Sequence, residues 1–147
     1  MKLKYPFPLS ALRITLQHHP EMGGEGGFTI IVKGNGEAIY KEEFWGRIIN
    51  SRKKAINPVD VFELLCFAVE NGFFEMKNSY DDGSRPYLGD DGQITEWGAM
   101  ITDLPSSTVT IKTGRQTKSV WNYYGAPKRL VQLENKIKKL ARAGTNP

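Results

Sequence analysis

The chain has 147 residues, of which 39% are hydrophobic and 24% charged, with a formal net charge of +4; this is the balance of a globular domain rather than of a disordered or fibrous chain. No stretch approaches the roughly eighteen consecutive apolar residues of a membrane helix, residues 1–10 hold no apolar run of signal-peptide length, and Cys66 is the only cysteine. The expectation is therefore a cytoplasmic protein without a membrane partner. It would have an arm at residues 1–10, a single domain over 11–143 and a tail at 144–147.

The net charge conceals a division along the chain. Residues 1–56 carry nine Lys or Arg against five Asp or Glu, residues 57–111 two against ten, and residues 112–147 nine against one. An acidic middle can pack beside a basic end and cancel it, or the basic end can leave a face open to an anionic partner.

Taken in chain order, Pro6 and Pro8 suggest an extended arm, and Leu12, Ile14 and Leu16 alternate with Arg13, Thr15 and Gln17 as in a half-buried strand. A glycine-rich stretch follows at Gly23, Gly24, Gly26 and Gly27, and because a strand-like run comes after it, a phosphate-binding loop opening a helix is not expected. Phe28 to Lys33 and Glu37 to Lys41 read as a hairpin about Gly34-Asn35-Gly36, whose residues tolerate positive φ. Phe44 to Ile49 extends the sheet, with Ser51 to Lys54 as a polar connection. Asn57-Pro58-Val59-Asp60 opens a helix with a favoured cap, a proline in the first turn and an early negative charge. Val61, Leu64, Leu65, Ala68 and Val69 keep its spacing, and Cys66 reads as a small buried hydrophobe within it. Asn71-Gly72 stops it, and Phe73 and Phe74 fold back onto the sheet.

Residues 77–98 form the long irregular loop of this reading. Ser107 to Thr113 and Thr117 to Tyr123 form a second hairpin about Gly114-Arg115. Ala126-Pro127 opens a final helix with Leu130, Leu133, Ile137 and Leu140 on one stripe, ended by Gly144. The predicted class is α+β, a mainly antiparallel sheet of about five to six strands with two helices packed on one face.

These segments resemble an uncharacterised bacterial family, one of the domains of unknown function. The likeness lies in the hairpin Phe28 to Tyr40, the helix running into Gly72-Phe73-Phe74, and Thr102-Asp103-Leu104-Pro105 before a Thr-rich strand. It continues in Gly125-Ala126-Pro127 followed by Leu130, Leu133-Glu134 and Ile137, and spans most of residues 11–141. The resemblance implies the fold and carries no activity. Members with two cysteines four residues apart before the second strand differ from this chain, which has Glu21 and Glu25 there.

No nucleophile-elbow, Cys-His or Cys-x-x-Cys signature is present, no catalytic residue is assigned and no cofactor is expected. A binding or interaction domain is the first reading, with Tyr87 and Trp97 in the irregular loop as contacts for a protein partner. The second is nucleic-acid binding through Arg115, Lys118, Lys136, Lys138, Lys139 and Arg142, with Trp121, Tyr123 and Tyr124 available for stacking. The third is a metal-dependent enzyme using the adjacent His18 and His19 with the acidic turns Asp81-Asp82 and Asp90-Asp91. In a strand, neighbours such as the two histidines point to opposite faces, which weighs against a shared site.

Overall fold

The computed structural model describes residues 1–20, 26–80, 85–97 and 105–143, with the side chains of Arg85, Glu96, Trp97 and Ala143 outside that description. A short 3-10 turn at Leu9–Ala11 leads into β1 (Arg13–His19). Then come β2 (Gly27–Lys33), β3 (Glu37–Phe44), β4 (Arg47–Ala55), α1 (Pro58–Glu70), a 3-10 turn at Phe73–Glu75, and β5 (Ser79–Tyr80). The rest is β6 (Arg85–Leu88), β7 (Ile94–Trp97), β8 (Ser106–Lys112), β9 (Thr117–Asn122) and α2 (Lys128–Ala143). The fold is α+β, as expected from the sequence.

The main sheet has seven strands in the order β4-β3-β2-β1-β8-β9-β5. Every pairing in it is antiparallel except β5 with β9. Its register follows from the alternation in β1. Leu16 stands opposite Ile30 on one side and Val109 on the other, and Ile14 stands between Val32 and Ile111. Opposed residues share a face, so these side chains, with Ala38 and Val120, make one apolar surface. Val61, Leu64, Leu65 and Ala68 of α1, Leu130, Leu133 and Ile137 of α2, and Phe73 and Phe74 between the helices close over it. The two phenylalanines meet edge to face at 5.5 Å between ring centroids.

Local signals account for the boundaries. The Asn57 side chain accepts a hydrogen bond from Val59 N–H at 3.0 Å and caps α1. Gly72 takes φ +73 where the chain leaves the helix. The β2–β3 turn is closed by Gly36 N–H donating to the Lys33 carbonyl at 3.0 Å, with Gly36 at φ +95.

Two expectations need correction. Ser51 to Lys54 is not a connection but the second half of β4, joined to β3 by a two-residue turn in which Trp45 and Gly46 take φ +52 and +77. As an edge strand almost wholly exposed, β4 has no buried face to impose alternation, and Arg47, Arg52, Lys53 and Lys54 protect it from edge-to-edge pairing. Residues 77–98 are not structureless. Their described part contributes β5 to the sheet and a separate hairpin, β6–β7, whose turn holds Asp90-Asp91-Gly92. The Asp91 carboxylate accepts from Gln93 N–H at 3.0 Å, an ordinary Asx turn.

Gly34 tests how closely the N-terminal turn is fitted. Its N–H donates to the Leu12 carbonyl at 2.8 Å, and a Cβ there would overlap the Leu9 carbonyl oxygen. The obstacle is backbone, which a rotamer change cannot relieve. Gly34→Ala is expected to destabilise the fold by about 1–3 kcal/mol, measured by urea denaturation, whereas Gly46→Ala, with open space around the added methyl, loses only through its positive φ.

Candidate anion-binding groove

α2 crosses the sheet so that Glu134 lies near β1 and β9 while Arg142 reaches β4. The Glu134 carboxylate accepts from the Asn122 amide at 2.8 Å, and the Arg142 carbonyl accepts from Lys54 Nζ at 3.3 Å. Between the last turns of α2 and strands β2, β3 and β4 lies a groove of about 260 Å³. Phe28, Ile30 and Tyr40 line its sheet side, and Arg52, Lys54, Lys138 and Arg142 bring four cations to it.

The register explains the convergence. Tyr40 pairs with both Ile30 and Arg52, so these three occupy one row of the helix-side face, and Lys54 follows Arg52 two residues on. The aromatic rings already hold cations. The Arg52 guanidinium lies 5.0 Å from the Tyr40 ring centroid and Lys138 Nζ lies 5.8 Å from that of Phe28, while the two rings are 5.8 Å apart. Among the described residues the ion pairs are Lys33–Glu37 and Lys53–Glu37, so none of the four groove cations has a carboxylate partner at ion-pair distance.

Two titrating groups respond to this field. His18 stacks on Phe28 at 5.0 Å, and its pKa is lowered below 6.5 by burial first, then by Lys138 and His19, with Glu134 opposing. The Tyr40 phenol is raised above 10.0 by burial, by the neighbouring Glu42 charge and by a hydrogen bond to Glu42, against the pull of Arg52 and Arg142. The groove can thus hold an anion by charge and an apolar or planar group on Phe28 and Tyr40. Among the described residues that line it, no nucleophile is paired with a base.

The residues singled out in the sequence fall in several places. Lys138 and Arg142 enter the groove. Lys136 lies over the Phe67 ring of α1 at 4.7 Å, and Lys139 is exposed on α2. Arg115 sits at the β8–β9 turn, where its Nη1 donates to the Tyr5 and Pro6 carbonyls at 2.7 and 3.2 Å. Lys118 does not belong to an exposed basic stripe. It points to the helix side, is buried, and its ammonium donates to the Met76 carbonyl at 2.6 Å and to Asn78 Oδ1 at 2.9 Å. Burial of its charge is compensated by those two acceptors. Trp121 and Tyr123 stack on each other at 5.2 Å.

His18 and His19 do point apart, as strand alternation requires. His18 meets Phe28, and His19 Nε2 lies 3.3 Å from the Thr108 hydroxyl on the other face. Among the described residues no three His, Cys, Asp or Glu side chains converge as metal ligands. Asp81 and Asp82 lie outside the described residues, as do Glu21 and Glu25, and Asp90 and Asp91 form the exposed turn of β6–β7. Tyr87 is exposed on β6, while the side chain of Trp97 lies outside the description. Arg52 and Lys54 were missed because their stretch read as a connection. The signal that could have found them is Gly46, which marks a hairpin turn one residue after Trp45.

The family model described as a domain of unknown function (DUF6438) matches residues 12–141. No curated protein matches the chain. No helix among the described residues is long and apolar enough to cross a membrane.

His18 supplies a prediction with a defined sign. Because its pKa is lowered in the fold, the unfolded chain takes up the proton first as pH falls. Stability from the neutral imidazole is complete above pH about 6.5 and declines as pH drops from there through the folded pKa. His18→Gln is expected to flatten that decline in thermal midpoints measured between pH 7.5 and 5.

Proposed function

We propose that this chain, which belongs to the DUF6438 family, is a binding domain that holds an anionic ligand with an apolar or aromatic portion in the groove between β4 and α2. One observation carries the reading. Four cations from two distant parts of the chain, Arg52 and Lys54 with Lys138 and Arg142, surround an aromatic floor and lack a carboxylate partner among the described residues. Four cations at a concave apolar surface repel one another, and the nearby Glu42 charge beside Tyr40 offsets them only in part. A ligand anion would compensate the rest of that repulsion and would displace Arg52 or Lys138 from a ring face to its own acid group.

The test is titration with phenyl phosphate, followed by calorimetry and by the His18 ring resonances. An anion beside Lys138 is expected to raise the His18 pKa, because it offsets the charge that lowers it. The double variant Arg52→Gln/Lys138→Gln is expected to weaken binding at least about tenfold, the loss of one or two charge-assisted hydrogen bonds. Binding that is unaffected by the double variant would sink the groove reading. So would preference for an oligonucleotide with steep salt dependence and no competition by phenyl phosphate, which would put nucleic-acid binding along Lys136, Lys139 and Arg142 in its place.

A protein partner at the β6–β7 hairpin is a second reading, favoured by the exposure of Tyr87, Leu88 and Ile94 on one short two-stranded unit. Exposed aromatic and aliphatic residues of this kind anchor interfaces. Tyr87→Ala with Ile94→Ala is expected to reduce capture of any stoichiometric protein partner by tenfold or more at unchanged thermal midpoint. Undiminished capture would remove the hairpin from consideration.

A further inference from the structure

On the sheet face away from the helices, the register sets Glu37, Lys33, Arg13, Lys112 and Thr117 side by side on five successive strands. Directly opposed residues point to the same side with Cβ atoms about 5 Å apart, and like charges so placed destabilise the pairing. Arg13 therefore has a cation on each flank. Glu37 compensates only the outer end, lying 4.0 Å from Lys33 and 3.8 Å from Lys53. Arg13 and Lys112 have no ion-pair partner among the described residues.

Beside them is a depression of about 460 Å³ whose walls include Arg13, Lys112, Arg115 and Gln116. Its far wall is held in place by the N-terminal arm. Arg115 Nη1 donates to the Tyr5 and Pro6 carbonyls, Gln116 Nε2 donates to the Lys2 carbonyl at 3.1 Å, and Gln116 Oε1 accepts from Lys4 N–H. The Nε and Nη2 donors of Arg115 have no partner among the described residues, so the guanidinium is fixed on one edge and open on the other. Two arginines and a lysine thus border one polar hollow, with no aromatic side chain among the described residues that line it.

We propose that this corner is an oxyanion site for a small phosphate-bearing ligand carrying at least two negative charges. A guanidinium fork matches phosphate oxygens in pairs. Two or more negative charges offset the three cations Arg13, Lys112 and Arg115, and relieve the cross-strand repulsion of Arg13 with Lys33 and Lys112. The site lies on the opposite face of the sheet from the β4–α2 groove, shares no residue with it, and stands whether or not that groove binds an anion.

The experiment compares the thermal midpoint in pyrophosphate with that in sodium chloride at matched ionic strength, for the wild-type chain, Arg13→Gln/Lys112→Gln and Arg52→Gln/Lys138→Gln. The expected result is a saturable rise with pyrophosphate beyond that of chloride, kept by the groove variant and lost by the corner variant. The corner variant is also expected to have the higher midpoint without added anion, because like charges have been removed. If it does not fold, Lys112→Gln alone with ³¹P line broadening of pyrophosphate gives the same reading, with broadening reduced at least tenfold. Equal midpoints in pyrophosphate and chloride overturn the proposal, as does a pyrophosphate response that survives in the corner variant. Stabilisation by a long oligonucleotide alone, with none by pyrophosphate, also overturns it.

Discussion

The pairing of β1 with both β2 and β8 is the constraint on which the rest depends. β2, β3 and β4 form one antiparallel run, β8 and β9 form another far along the chain, and β1 alone joins them into one sheet. Its register is shared by both partners. Leu16 aligns with Ile30 and Val109, and Arg13 aligns with Lys33 and Lys112. A slip of one residue would exchange the two faces of the strand, placing Arg13 and Thr15 under the helices and Ile14 and Leu16 in solvent. The apolar row and the basic row are therefore two consequences of one pairing.

The two faces then diverge in chemistry. On the helix side, successive rows run from apolar residues to a polar margin where His18, Asn122, Glu134 and Lys138 meet. There Asn122 and Glu134 satisfy each other, and Lys118 finds two acceptors, so among the described residues no buried side-chain polar atom lacks a partner. The groove cations differ. Arg52 and Lys138 lie over rings and Lys54 donates to one carbonyl, but none of the four meets a carboxylate at ion-pair distance among the described residues. Charge separated along the chain is thus only partly answered in space. α1 packs beside α2, yet Lys136 of α2 meets the Phe67 ring rather than an acid of α1.

Much of the architecture was legible because its signals are local. The Asn57 cap, the Gly72 stop, the Asn-Gly turn after Lys33 and the alternation in residues 12–17 each report a backbone preference or a one-sided burial that a few residues suffice to express. The second half of β4 and the β6–β7 hairpin were not legible. Exposed strands have no buried face to impose a period of two, so Ser51 to Lys54 reads as a polar connection. Lys118 was misread for the opposite reason. Its environment is made by Met76 and Asn78, some forty residues away, and a lysine in a strand carries no mark of a buried acceptor.

By itself the sequence determined the α+β class, the two helices with their apolar stripes, the two main hairpins, the separation of His18 from His19 and the uneven charge, since each is set by neighbours within a few positions. Only the tertiary structure decided which cations gather. It brought Arg52 and Lys54 to Lys138 and Arg142, set Arg13 between Lys33 and Lys112, and buried Lys118. These are matters of strand order and cross-strand register, and the hydrophobic periodicity that specifies a strand's inward face carries no information about which strand will lie beside it.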